Sequence, residues 1–179
     1  IPSFVYPGYE ADDIIATWAY KAYANPNMYT TVMSSDKDLK QLINDRVDVR
    51  DPMKNKKTNL SDFQREFGFE PAHMRDYLAL IGDTADNIPG VKWIGPKTAV
   101  TLLEKYDTLD NIIANVGELS PKLQAMIGDG VAAKHSQFLA QIKTDVPFDI
   151  DAMNFKRETS DILYTPALIE FLKKYEFRS

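Results

Sequence analysis

Apolar positions recur at two different periods along this chain, and the change between them divides it. Residues 1–6 (IPSFVY) read as a short strand closed by a Pro7-Gly8 turn. From Glu10 the spacing of Ile14, Ile15, Trp18, Ala19 and Ala22 becomes helical, until Asn25-Pro26-Asn27 breaks it. Residues 28–33 (MYTTVM) form a β-branched strand, 34–38 a turn, 39–43 a helix and 47–50 another short strand. Residues 51–59, with Lys54, Lys56 and Lys57, read as a solvated hairpin or loop. Beyond them the period is helical almost throughout. Helices are predicted from Leu60 to Gly68 and from Pro71 to Ile81, with Gly82 as the stop. A helix, tight turn and helix follow over 88–103, then helices over 108–116, 121–127, 132–142 and 166–175. Residues 146–150 (VPFDI) alternate like an edge strand, where Pro147 is tolerated. The pattern predicts an α/β core over 1–75, a helical lobe over 76–130, and a segment over 131–179 that packs back on the core.

Composition narrows the chemistry. With 44% hydrophobic residues among 179, the chain can bury a sizeable core as one large domain or two small lobes. A formal net charge of −5 gives no global basic character, so any nucleic-acid face must be local and masked by clustered acids. The absence of cysteine excludes disulfides, thiolate metal sites and cysteine nucleophiles. The two histidines, His73 and His135, lie too far apart in sequence for a zinc motif. No apolar run approaches the roughly 20 residues that span a bilayer, and no signal peptide opens the chain. These features predict a soluble intracellular protein without a membrane partner, and a chain opening on a strand without methionine reads as part of something longer.

Seven acids stand at element ends: Glu10, Asp12 and Asp13 in the first turn of a helix, Asp36 and Asp38 just beyond a strand, and Asp83 and Asp86 after a helix stop. Acids at helix starts also serve as caps and dipole partners, and that reading accounts for most such residues. Three in four residues at Glu10–Asp13 exceed what capping needs, because neighbouring carboxylates repel unless a cation neutralises them. An all-oxygen ligand set favours a hard cation, Mg²⁺ or Mn²⁺. Two such ions about 4 Å apart can hydrolyse a phosphodiester. The third acidic pair opens residues 82–99 (GDTADNIPGVKWIGPKTA), which continue into a Pro-Gly turn and Gly95-Pro96-Lys97-Thr98. A turn of this kind at a helix start offers backbone amides to a phosphate, and Lys97 and Thr98 add a charge and a hydroxyl. An ordinary αα-hairpin would look the same in isolation. It is not a Walker loop, since the spacing GxxxxGK(S/T) is absent.

Three stretches together resemble the 5′-nuclease domain of bacterial DNA polymerase I and the related flap endonucleases: residues 8–17 (GYEADDIIAT), 34–42 (SSDKDLKQL) and 82–99. Residues 143–146 (KTDV) and 174–177 (KYEF) are similar to that domain's closing segments. The resemblance implies a PIN-like (resolvase-like) parallel-sheet core, truncated at its N-terminus, and a helix-three-turn-helix or helix-hairpin-helix lobe. It implies two-metal 5′-3′ exonuclease and flap endonuclease activity on 5′ flaps and nicked or branched duplex DNA in a bacterial cytoplasm. Glu10, Asp12, Asp13, Asp36, Asp38, Asp83 and Asp86 would then be metal ligands, with Asp36, Asp38, Asp83 and Asp86 at the catalytic centre. Gly90, Lys92, Gly95, Lys97 and Thr98 would hold DNA, with K⁺ at the turn. A monomer is implied, with a polymerase domain able to follow. The family's domain also carries an N-terminal portion with a first strand, an arch and two more aspartates. A non-catalytic, structure-selective DNA-binding module is therefore the alternative. Trp93 stands where many relatives carry glycine, and it would be strained if that position needs a positive φ.

Overall fold

The computed structural model describes residues 3–148 and 165–176. Two compact units separate, 1–146 and 147–179. In the first unit, α1 (Ala11–Tyr23) precedes β1 (Thr30–Met33), a 3₁₀ turn (Asp38–Leu42), β2 (Val47–Asp51) and β3 (Lys56–Thr58). Among the described residues the sheet order is β1-β2-β3. β1 runs parallel to β2, with Thr30 opposite Val47 and Met33 opposite Arg50, and β3 adds an antiparallel edge. Val32, Val47 and Val49 point into the core with the two-residue period of a strand, and Ala16 and Ala19 of α1 are buried.

The hairpin expected over 51–59 forms. Asp51 Oδ1 accepts the N–H groups of Met53 and Lys54, and Asn55 takes the left-handed conformation that its short amide tolerates. The strand expected at the start does not form over residues 3–6, and Phe4 and Val5 are exposed. A strand needs a neighbouring strand for its backbone groups, and the described sheet consists of β1, β2 and β3. The helix expected at 39–43 is a tighter 3₁₀ turn anchored by buried Leu39.

The helical part follows as α2 (Leu60–Phe67), a 3₁₀ turn (Pro71–His73), α3 (Met74–Ile81), α4 (Pro96–Tyr106), α5 (Leu109–Ala114), α6 (Pro121–Ile127) and α7 (Val131–Leu139). Local chemistry sets these limits. Asn59 caps α2 by accepting the Asp62 N–H, and Gly68 ends it at φ 77°. Thr108 and Ser120 cap α5 and α6 in the same way. Central to the packing is α3, whose Met74, Tyr77, Leu78, Ala79 and Leu80 are all buried. Phe63 and Phe67 of α2 stack at 4.5 Å and meet Phe69 and Tyr77, joining α2 to α3 through one aromatic cluster. Asp76 is buried on α3 and accepts both the Leu109 N–H of α5 and the Gln137 side-chain amide of α7.

Of the helix–turn–helix expected over 88–103, only the second helix forms, from Pro96. Pro89 and Gly90 interrupt the first half, and Asp83 and Ile88 exchange both backbone hydrogen bonds at 2.8 Å, which is incompatible with helix. The helix preceding the turn is α3, and residues 82–95 form an irregular crossing between it and α4. Of the edge strand expected over 146–150, residues 146–148 are not strand and 149–150 lie outside the described residues. In the second unit, α8 (Pro166–Lys174) starts as its sequence predicts, with Thr165 accepting the Leu168 N–H and proline at its first position. Residue 177 of the KYEF segment lies outside the described residues. Among the described residues no helix is long and apolar enough to cross a membrane.

Candidate metal centre

Two short loops build the acidic centre. After β1, Ser34 Oγ accepts the Asp36 N–H at 3.0 Å, and Asp36 Oδ1 accepts the Asp38 N–H at 2.9 Å. These paired turns hold both acids beyond the carboxyl end of the strand, where open α/β sheets place ligands. After α3, the loop from Asp83 to Ile88 is pinched at its base and rests on a glycine pair. A Cβ at Gly90 would lie 2.4 Å from the Gly82 nitrogen, and one at Gly82 would lie 2.8 Å from the Ile88 carbonyl oxygen. Both glycines have positive φ, so neither space nor backbone conformation admits a side chain.

The two loops bring Asp38, Asp83 and Asp86 together, each with a carboxylate oxygen within 4.8 Å of the others. Desolvation and charge repulsion act on them differently. Asp38 is pushed up to about 6, first by burial and then by the charges of Asp36 and Asp86. Burial and the neighbouring Asp83 raise Asp86. Asp83 is held low, chiefly because the Lys37 ammonium bonds its carboxylate. Burial raises Asp12, followed by the charge of Asp36, so Asp12 and Asp36 belong to the same electrostatic field. Asp38 Oδ1 is buried without a hydrogen-bond partner among the described residues. A hard divalent cation fits this site: the donors are all carboxylate oxygens, one of them is buried and unsatisfied, and their mutual repulsion needs a positive charge.

Glu10 and Asp13 lie apart from that triad. Glu10 is exposed, and its charge contributes to raising Asp12. Both oxygens of Asp13 are taken by backbone: Oδ2 accepts the Glu10 N–H at 3.2 Å and Oδ1 the Lys143 N–H at 2.8 Å. Thr17 continues this seam, its hydroxyl donating to the Asp13 carbonyl and accepting the Val146 N–H. Asp13 thus ties α1 to residues 143–146, a role that the first-turn position hinted at and the acidic cluster disguised. Sequence reasoning assigned nothing to Lys37, although a lysine between two acids in SSDKDLKQL is a visible signal.

The turn before α4 divides its residues between scaffold and surface. Gly90 is buried and donates its N–H to Ser136 Oγ of α7 at 3.0 Å, so that amide is already engaged. Val91 donates to the Leu80 carbonyl and Ile94 to the Val91 carbonyl, closing a turn with Lys92 and Trp93 exposed at its tip. Trp93 has φ +72° and is exposed, so the condition under which tryptophan is strained there is met. Gly95 starts α4, the space about its Cβ position is open, and Lys97 is exposed beside it. The first-turn N–H groups there have no partner within the helix.

A short parallel β pair with acids beyond its carboxyl ends, joined to a helical lobe, defines a resolvase-like core followed by a SAM-like fold. More particularly, the chain belongs to the 5′-3′ exonuclease family. The family profile described as 5′-3′ exonuclease, C-terminal SAM fold, matches residues 69–162, and the N-terminal resolvase-like domain profile matches residues 1–68. Among curated relatives, DNA polymerase I of Rhizobium leguminosarum is 39% identical over 99% of this chain and 17% of its own length. A 5′-3′ exonuclease of Mycoplasma pneumoniae is 37% identical over 96% of this chain and 60% of its own. The chain therefore spans less than two thirds of either relative. Among solved structures, a bacteriophage T5 5′-exonuclease with zinc bound superposes with a TM-score of 0.72 at 22% identity, over 85% of this chain and 56% of that one. A T5 flap endonuclease in a pseudo-enzyme–product complex with DNA and metal ions gives 0.66 at 26% identity, over 82% and 53%.

Proposed function

We propose that this chain carries the divalent-metal-dependent 5′-3′ exonuclease and flap endonuclease chemistry of its family, acting on phosphodiesters of branched or nicked DNA. The observation that carries the reading is the convergence of Asp38, Asp83 and Asp86, from loops far apart in sequence, on one centre with an unsatisfied buried oxygen. A T5 flap endonuclease, 26% identical to this chain and seen with DNA and metal ions, supports it by kinship.

In this reading Asp38, Asp83 and Asp86 hold Mg²⁺ or Mn²⁺, and Asp36 and Asp12 extend the acidic field towards a second ion. A bound ion of this kind supplies charge stabilisation at a phosphodiester and lowers the pKa of a water. The chain's own residues position and grip. Lys92, Lys97, Thr98 and the amides after Gly95 hold the sugar–phosphate backbone without reading bases. Gly90 supports that grip from beneath, through Ser136. K⁺ at the carbonyls of the 90–95 turn belongs to the same reading, and DNA affinity indifferent to exchanging K⁺ for Na⁺ would remove it.

The direct test is cleavage of a labelled 5′-flap duplex by the whole chain with Mg²⁺ or Mn²⁺ and with chelator. An Asp36→Asn/Asp38→Asn preparation, purified identically, is the control for contaminating nuclease. Metal-dependent cutting near the junction that disappears in the double variant is expected. Salt-sensitive DNA binding with no cutting would favour the second reading, a structure-selective DNA-binding module, since the acidic centre would then hold metal without turnover.

A further inference from the structure

Trp93 is a residue that stability does not account for. It is the third residue of the turn Val91–Ile94, closed by the Ile94 N–H on the Val91 carbonyl at 3.0 Å, and its φ of +72° is one that turn positions assign to glycine or asparagine. A bulky side chain there is strained. Burial does not compensate: the indole is 78% exposed, while Val91 and Ile94 on either side are 5% and 4% exposed and pin the turn to the scaffold. The strain is thus imposed on a side chain that the fold itself hardly uses. Its surroundings are cationic. The Lys92 ammonium lies 5.3 Å from the ring centroid, and exposed Lys97 follows at the start of α4. An exposed aromatic beside a lysine on a turn, with a second lysine in the helix that follows, is the chemistry that proteins use on nucleic acid with unpaired bases, where cations track the backbone and the ring takes a base.

We propose that Trp93 is a DNA contact that stacks on an unpaired or frayed base, adding structure selectivity to the sequence-independent grip of Lys92 and Lys97. The proposal rests on the DNA-binding reading above and names which feature of the substrate this turn senses. Backbone contacts alone treat a continuous duplex and a flapped one alike, whereas a stacking surface favours the substrate that offers a free base face.

The experiment measures affinity of the full chain for a fluorescein-labelled 5′-flap duplex and for a continuous duplex, in chelator to prevent cleavage, across a salt series. Trp93→Ala and Trp93→Gly are expected to weaken flap binding about 10-fold, within the roughly 5- to 150-fold range of a stacked base, and to weaken duplex binding much less. Trp93→Phe keeps most of the affinity. None of the three changes the slope of log affinity against log salt, whereas Lys92→Ala reduces it by about one. Thermal unfolding supplies the readout that a structural role would not give. Trp93→Gly raises Tm, because glycine suits φ +72°, while affinity falls, so stability and binding move in opposite directions. Unchanged flap affinity in Trp93→Gly, equal losses on both substrates, or a loss that follows a fall in Tm would each overturn the proposal. A wild-type chain with no salt-sensitive DNA binding would instead remove the DNA-binding reading, and this inference with it.

Discussion

The Lys37 ammonium is bonded to the buried Asp83 carboxylate, so a protein cation sits at the edge of the Asp38–Asp83–Asp86 centre. It holds Asp83 ionised where burial alone would raise it. Removing that charge while keeping most of the stem, as in Lys37→Met, leaves three clustered carboxylates to repel one another. The metal-free variant should unfold at lower temperature than wild type at pH 7. Its stabilisation by Mg²⁺ should be larger, because the ion then replaces a charge that the protein no longer supplies. Thermal scans with and without Mg²⁺ measure both. Equal metal-induced shifts in the two proteins would show that Lys37 is not a charge partner of the site.

The centre also dictates a pH dependence. Asp38 has a folded pKa of about 6, above its ordinary 3.8, so between those values the folded state binds a proton that the unfolded state has lost. Its contribution to stability is fully present below about pH 4 and is lost as pH rises towards 6. Asp12 and Asp86 are raised and act in the same direction; Asp83 is lowered and acts in the other, its contribution being lost as pH falls. The Tm difference between wild type and Asp38→Asn isolates the first effect. In metal-free buffer, wild type should lose ground to Asp38→Asn between pH 4 and pH 6 and hold a constant gap above. Mg²⁺ requires the carboxylate, so its affinity for wild type should climb through that same interval and level off.

How much of this was legible in the sequence depends on whether the cause was local. Helix caps at Asn59, Thr108, Ser120 and Thr165 and the glycine stops at Gly68 and Gly82 are local chemistry, and the corresponding element limits follow from residue type. The three acidic groups were visible as motifs, but which acids meet is decided by tertiary placement. Asp13 and Asp12 are neighbours in sequence and differ because one faces the 143–146 backbone and the other faces Asp36. The first half of the 88–103 hairpin reads as helix in the sequence because apolar residues at Ile88, Val91 and Ile94 have helical spacing. Their burial instead anchors an irregular crossing, fixed by the contact of Gly82 with Gly90 that no local pattern reveals.

Asp76 supplies a test of the scaffold without touching the site. Its carboxylate is 5% exposed and satisfies the first amide of α5 and the Gln137 side chain of α7. Asp76→Ala strands both donors in the interior at a cost of about 3 kcal/mol. For a chain of this size that corresponds to a Tm lower by roughly 6–12 °C. Asp76→Asn retains an acceptor and should recover part of the loss. Divalent-metal affinity of the folded fraction should be unchanged in both, which separates collapse of the lobe from damage to the centre.

Asp13 and Asp38 give opposite signatures if their roles are as the geometry divides them. Asp13 takes two backbone N–H groups, from Glu10 and Lys143, and its loss leaves both without the carboxylate that joins α1 to residues 143–146. Asp13→Ala should therefore lower Tm by several degrees, consistent with about 2 kcal/mol for a cap and a partly buried bond together, and leave Mg²⁺ stabilisation intact. Asp38 carries a buried oxygen that has no hydrogen-bond partner among the described residues and sits among like charges, an arrangement that weakens the metal-free fold and strengthens ion binding. Asp38→Asn should therefore raise the metal-free Tm at pH 7 and abolish most of the Mg²⁺-induced shift. Parallel scans of the two variants decide the matter within one experiment. A metal response lost in Asp13→Ala but retained in Asp38→Asn would reverse the assignment and place the ion at the start of α1. The predicted pairing arises because both carboxylates are at least partly withdrawn from water, yet only one of them has its oxygens taken by donors of the chain.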